Sequence, residues 1–132
     1  VAGLVKDYSP EGWPTDHNMV PHGISVIVNS PAVFRKTGPA CAERHWKAAA
    51  AMGADLTDTK VEDGGDILAE QILGMMRETG IPNGLSGVGY SIDDLDALTD
   101  RSYAQKRLID NGPMPISRED LKELFSDAMT YW

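Results

Sequence analysis

The chain has 132 residues, of which 42% are hydrophobic, and its formal net charge is −8. This composition supports one packed domain rather than a disordered segment. The negative charge would repel a phosphate backbone, and no apolar stretch is long enough to span a bilayer, so we expect neither a nucleic acid nor a membrane partner. A single cysteine, Cys41, excludes an internal disulfide and favours a cytoplasmic location.

The N-terminal part, residues 1–21, is rich in proline, glycine and aromatic residues, which predicts an irregular, partly packed arm. It contains no basic segment followed by an apolar one, so we expect no secretory signal. The chain starts with Val1 rather than methionine, and we therefore expect a trimmed or truncated chain.

The stretch that follows the arm is ambiguous. Ile24, Val26 and Val28 alternate as in a strand, whereas Ile24, Ile27 and Val28 also fit one face of a helix. Residue propensity alone favours a strand weakly. A proline interrupts this stretch, so any helix here is expected to kink or restart near Ser30.

The remaining two thirds of the chain carry clear helical patterns. Pro39 suits a first helical turn, and Gly53 is placed for a left-handed C-cap. A second amphipathic helix follows, with apolar residues three or four apart and a glycine and a proline after it. Those apolar residues and the two terminating residues are Leu68, Ile72, Met75, Met76, Gly80 and Pro82.

Three more helices are predicted towards the C-terminus. Ser91 and Asp94 have the spacing of a helix cap, and a short helix is expected over residues 104–109. Ser117 is the predicted N-cap of the last helix. The apolar stripe of that helix comprises Leu121, Leu124, Phe125, Ala128, Met129 and Trp132. We therefore predict an all-α helical bundle over residues 22–132, forming a single domain with the arm.

Two glycine-containing segments do not predict a nucleotide site. Gly64–Gly65 and the run 84–89 lack the strand, turn and helix context of a phosphate-binding loop, and turns that need positive φ explain glycine more simply. The acidic residues Asp93, Asp94, Asp96 and Asp100 lack the pattern of a calcium loop, so a solvated helix face is the better explanation.

Two places carry residues that could do chemistry. Cys41 and His45 lie four apart on one predicted helix, as a thiol and its base would, but no third group orients them and core packing is favoured. His17 and His22 precede the ambiguous segment, and imidazole binds iron or zinc well. Their spacing of five does not align two ligands on a helix, and helix capping by the Pro21–Gly23 turn remains the alternative for His22.

Two segments resemble the metal-binding region of the iron-containing alcohol dehydrogenases, and most closely the hydroxyacid-oxoacid transhydrogenase type: Val20–Val26 (VPHGISV) and Ser30–Phe34 (SPAVF). The resemblance continues along nearly the whole chain, through Glu43–His45, Met52–Asp55, Gly87–Ser91 and Glu119–Leu121.

The resemblance implies that this chain is the latter part of an all-helical C-terminal domain, so that the segment after His22 becomes a helix. Members of the family hold a divalent metal, Fe²⁺ or Zn²⁺, with one Asp and three His, and His22 matches the last of these histidines. The other ligands and the nucleotide-binding domain with its pyrophosphate loop have no counterpart in this chain. His17 matches no ligand of the family and is retained as a possible cleft-lining residue.

The implied activity is that of an oxidoreductase in which the metal acts as a Lewis acid and NAD(P) exchanges hydride with an alcohol, hydroxyacid or oxoacid. We expect no catalytic or nucleotide-binding residue in the chain itself, which would be inactive alone and bind metal only weakly; a homo-oligomer is possible. Four cations could face an anionic substrate: Lys6, Arg35, Lys36 and Arg44. The alternatives are a stand-alone helical protein-interaction module and an oligomerising helical protein with no catalytic history.

Overall fold

The computed structural model describes residues 1–13 and 16–132, and over these residues the protein contains helices and turns but no strand. The six α-helices are α1 (His22–Ile27), α2 (Ser30–Ala51), α3 (Gly64–Glu78), α4 (Leu95–Tyr103), α5 (Lys106–Ile109) and α6 (Arg118–Asp127). The predicted all-α class is therefore confirmed. None of the helices in the described part of the chain combines the length and apolar composition that a bilayer crossing requires.

The segment after the arm is the helix α1, so the strand that propensity favoured is wrong and the family resemblance is correct. Burial explains the outcome, because Val26 is 51% exposed while Val28 is fully buried. An alternating strand would place both residues on the same face. Ile24 and Ile27 pack against the core from the inner face of the helix. As predicted, the chain turns after α1 and restarts as α2 at Ser30.

Helix α2 begins earlier than predicted and is broken within its length. Pro39 was expected in a first helical turn, but it lies inside α2, and the backbone leaves helical geometry at Cys41, with φ −150° and ψ 40°. A proline ring has no N–H to donate and crowds the preceding turn, so the helix continues only by bending. The C-terminal end is as predicted, since Gly53 follows with φ +93°.

Helices α2 and α3 form a closely packed pair around a core of Ala49, Leu68, Ile72, Leu73 and Met76. Their backbones meet at Gly64 and Gly65, where α3 begins. A Cβ atom on Gly65 would lie 2.6 Å from the Phe34 carbonyl oxygen and 2.8 Å from the Cα of Gly38. These glycines are therefore required by close helix packing, whereas positive φ was the reason predicted.

A second core joins α1, α4, α6 and the N-terminal arm, and it is centred on Val28, Leu85, Val88, Leu98 and Ala128. In the arm, residues 2–4 form one 3-10 turn, and the apolar side chains of Val1, Leu4, Val5 and Tyr8 pack on this core.

Both predicted helix caps in this half of the molecule are present. Ser91 forms a capping box with Asp94, and Ser117 forms one with Asp120. The short helix expected over residues 104–109 is present as α5, one turn long. The last helix ends at Asp127, earlier than the apolar stripe predicted.

Residues 128–132 leave the helical path and dock on a distant loop. Leu85 N–H donates to the Ala128 carbonyl at 2.9 Å, and Tyr131 N–H donates to Asn83 Oδ1 at 2.8 Å. Trp132 is therefore no longer part of the buried stripe; it is 45% exposed, and the Arg77 guanidinium lies 4.8 Å from the centre of its ring.

Candidate functional site

The turn before α1 fixes the position of His22. Pro21 is buried with extended backbone angles, φ −53° and ψ 145°, and its carbonyl accepts the first helical hydrogen bond from Ser25 N–H at 2.9 Å. The Ser25 hydroxyl donates to the His22 carbonyl at 2.8 Å. The backbone of His22 is thus held from both sides, while its side chain is exposed at the first residue of the helix.

The C-terminal tail fixes the other end of α1. The Tyr131 hydroxyl donates to the Val28 carbonyl at 3.0 Å and accepts from Ala32 N–H at 3.4 Å, so it connects the end of α1 to the start of α2. Burial raises the pKa of Tyr131 to about 12. The phenol therefore stays protonated and remains a donor throughout the physiological pH range.

The His22 ring forms no hydrogen bond or ion pair within residues 1–13 and 16–132. Its nitrogen atoms are accordingly available to a group from outside the chain. The alternative for His22, capping of the helix by the Pro21–Gly23 turn, is compatible with this geometry, because Pro21 is the N-cap residue of α1 and no side chain caps the helix. Exposure of His22 disfavours a purely structural histidine bonded to backbone.

His17 is exposed and differs from His22 in having a close partner. Its Nδ1 atom lies 2.6 Å from Asp16 Oδ1, and this hydrogen bond lowers the pKa of Asp16. Within the described ranges, no three His, Cys, Asp or Glu side chains come together as a metal-binding group.

The Cys41–His45 pair is present, as the spacing predicted. Sγ of Cys41 lies 3.3 Å from Nε2 of His45 and donates to the Thr37 carbonyl at 3.4 Å. His45 is buried, and burial lowers its pKa. Its Nδ1 atom has no partner in the described part of the chain. No third group orients the imidazole towards the thiol, as an activated nucleophile requires, so the packing interpretation is retained.

Three carboxylates of the acidic run of α4 form ion pairs with basic side chains. Asp94 lies 2.6 Å from Lys6, Asp96 lies 2.7 Å from Lys122, and Asp100 lies 2.8 Å from Arg118. These contacts tie α4 to the arm and to α6. The predicted exposed helix face is therefore correct, with the addition that basic residues from neighbouring elements pair with Asp94, Asp96 and Asp100.

Three of the four cations proposed to face an anionic substrate are already paired. Lys6 pairs with Asp94, as above, while Arg35 lies 2.5 Å from Glu70 and Lys36 lies 2.6 Å from Asp120. Arg44 is exposed and has no ion pair in the described part of the chain. Sequence alone does not reveal this difference, because it depends on which carboxylates other helices bring nearby.

Comparison with known proteins places the fold and the family. The sequence model of the Fe-containing alcohol dehydrogenase family, C-terminal, matches residues 16–129. A probable hydroxyacid-oxoacid transhydrogenase, mitochondrial, of Dictyostelium discoideum is 40% identical over 100% of the chain and 24% of its own length. The Xenopus laevis hydroxyacid-oxoacid transhydrogenase, mitochondrial, is 41% identical over 98% of the chain and 28% of its own length.

Among solved structures, a 1,3-propanediol oxidoreductase superposes with a TM-score of 0.74 at 22% identity, covering 83% of this chain and 28% of that one. This likeness supports the fold. The chain therefore spans about a quarter of the length of the relatives it matches. The expected cytoplasmic location is wrong, since these relatives are named as mitochondrial. A single cysteine excludes an internal disulfide in either compartment and so could not distinguish them.

Proposed function

Because this chain belongs to the Fe-containing alcohol dehydrogenase family and matches the C-terminal model of that family, we propose that His22 supplies one metal ligand to a larger NAD(P)-dependent oxidoreductase. The observation that carries the proposal is the His22 ring itself. It is exposed at the start of α1, has no partner within the described residues, and is held in place by Pro21 and Ser25. A metal ligand needs one free ring nitrogen, and here the ring is carried by a backbone position that is held at the start of α1.

The residues present fit one corner of a metal site. Neutral imidazole is a good ligand for Fe²⁺ or Zn²⁺, but a catalytic site needs about three protein ligands. The bound metal would act as a Lewis acid on the substrate oxygen. The contribution of this chain would be to hold the backbone that carries the His22 imidazole, with the Tyr131 hydroxyl bonded to the far end of α1.

The nicotinamide coenzyme is proposed to bind outside this chain. Gly64 and Gly65 are used for packing α3 against α2, and Gly84 has φ +63° in a loop that packs on Met129. The N–H groups of residues 85–89 are all donated within the chain, so that loop has none left for a phosphate. Hydride exchange would therefore occur where another part of the full-length protein faces His22.

We further propose that the full-length protein exchanges hydride between small hydroxyacids and oxoacids and that it acts in mitochondria. The names of the Dictyostelium and Xenopus relatives support both points. On this view the isolated chain has no dehydrogenase or transhydrogenase activity and binds metal only weakly, because one imidazole does not compete well with water.

The full-length protein provides the decisive test. We expect His22→Ala to lose bound iron or zinc, measured by elemental analysis of the purified protein, together with activity. His17→Ala is the matched control and is expected to keep the wild-type metal content. A His22→Ala protein that retains its metal and its turnover would refute the assignment.

The isolated chain gives a second test. Metal-loaded chain mixed with nicotinamide and an alcohol is expected to show no turnover. A tight, stoichiometric metal complex that is lost in His22→Ala would instead mean that the remaining ligands lie within this chain.

The mass of the native gene product separates this proposal from a stand-alone interaction module. An antibody against this chain should detect a protein several times larger in the source cells. A product of the size of this chain would favour the interaction module, which stays a prediction until this measurement is made.

A further inference from the structure

A cavity lies in the groove between α2 and α3, and no residue of the Pro21–Gly23 turn lines it. Its volume is about 560 Å³, and residues of the loop after α5, Asn111 and Pro113, line one side of it. Small-molecule sites have volumes of roughly 300–1,000 Å³. The walls are mainly apolar and include Phe34, Ala48, Met52, Leu68 and Ile72.

Polar side chains of α2 also line this cavity. Cys41 and His45 lie side by side in the cavity wall, and the Cys41 Sγ and His45 Nε2 atoms are 3.3 Å apart. Burial lowers the pKa of His45, which favours neutral imidazole beside a thiol. The wall around these two side chains and the apolar residues therefore suits the apolar body of a ligand.

A single cation stands at the cavity. Arg44 lines it, is exposed, and has no ion pair in the described part of the chain. The other basic side chains of α2 all have carboxylate partners: Arg35 with Glu70, Lys36 with Asp120, and Lys47 with Glu43. In a chain of net charge −8, an unpaired guanidinium beside an apolar cavity indicates an anionic ligand group from outside.

We propose that this cavity binds a small monocarboxylate with an aliphatic body, the body lying between α2 and α3 and the carboxylate pairing with Arg44. Guanidinium and carboxylate pair with two parallel hydrogen bonds, which selects this anion over a neutral alcohol of the same length. The site is separate from His22 and does not depend on the proposed metal or coenzyme.

Octanoate is a suitable probe, with octanol as the neutral comparison. Affinity is measured by calorimetry on the purified chain, and occupancy by the rate at which iodoacetamide alkylates Cys41, the only cysteine. We expect octanoate to bind more tightly than octanol and to slow alkylation at the concentrations at which heat is released. Equal affinity for both compounds, or heat without protection of Cys41, would overturn the proposal.

Two variants test whether the charge of Arg44 contributes to octanoate binding. Arg44→Gln should weaken octanoate binding roughly fivefold to tenfold and leave octanol unchanged, which is the effect of one charge-assisted contact. Lys47→Gln is the control, because Lys47 is on the same helix, is paired with Glu43 and does not line the cavity. Unchanged octanoate affinity in Arg44→Gln would refute the assigned role of Arg44.

Ala48→Leu tests the apolar part by filling the cavity. It should weaken octanoate and octanol alike, with circular dichroism confirming that the helices are retained. A folded Ala48→Leu protein with wild-type affinity would place the ligand elsewhere and overturn the proposal. Protection of Cys41 that increases with protein concentration in the absence of octanoate would show that a second copy of the chain occupies the groove, and would also overturn it.

Discussion

The contact between α2 and α3 can be tested with one methyl group. In Gly65→Ala, the new Cβ would lie 2.6 Å from the Phe34 carbonyl oxygen and 2.8 Å from the Cα of Gly38. Both neighbours are backbone atoms, so they cannot avoid the contact by rotating a side chain. The two helices would have to move apart, and this would loosen the core between them.

The expected size of the effect follows from two opposing terms. Overpacking costs about 1–3 kcal/mol, and a contact between backbones belongs at the upper end of that range. Replacing a helical glycine with alanine recovers up to about 1 kcal/mol. Gly65→Ala should therefore lower the free energy of unfolding by roughly 2 kcal/mol. At about 2.1 cal/mol/K per residue, this lowers the Tm of a 132-residue chain by about 7 °C.

Gly74→Ala provides a control of opposite sign. Gly74 lies in the same helix, and a Cβ there would meet no atom within 4 Å among the described residues. This variant should gain up to about 1 kcal/mol. Urea denaturation at constant m-value compares the two variants. A Gly65→Ala protein as stable as Gly74→Ala would show that the helix backbones are not in contact at this point.

Two further predictions concern the tail and the last helix. Tyr131→Phe removes the donor to the Val28 carbonyl and should cost about 1–3 kcal/mol in thermal or urea unfolding, whereas Tyr103→Phe, whose hydroxyl has no hydrogen bond in the described residues, should change little. Asp120 has a lowered pKa because of Lys36 and the Ser117 cap. Its stabilising contribution is therefore present above the unfolded pKa of about 4 and is lost as pH falls towards the folded value. The stability difference between wild type and Asp120→Asn should shrink as pH is lowered below about 4; a difference independent of pH would refute this reasoning.

Helix termini were predictable from the sequence because their causes are local. Ser91 and Ser117 form capping boxes with acidic residues three positions later, and Gly53 ends its helix with positive φ. Each of these features depends on a few neighbouring residues. The family resemblance was also readable, since it rests on the short Pro21–Gly23 element and the segment after it.

Features set by distant residues were not predictable. The start of α1 was ambiguous because burial of Val28 depends on a core formed with residues far along the chain. Gly64 and Gly65 were interpreted as a turn, since the sequence does not show that α2 passes directly over them. The α2–α3 cavity and the unpaired Arg44 likewise arise only when helices distant in sequence come together.

The bond from Tyr131 to Val28 determines the order in which the His22 region can be completed during synthesis. The two residues are 103 positions apart. At a translation rate of roughly 5–20 residues per second, the ribosome needs about 5–20 s to make the intervening chain. The helix that carries His22 therefore emerges long before the residue that braces it. Until then, the far end of that helix lacks its hydrogen bond from Tyr131, so any metal binding through the proposed ligand His22 is expected to tighten only after Tyr131 has been synthesised.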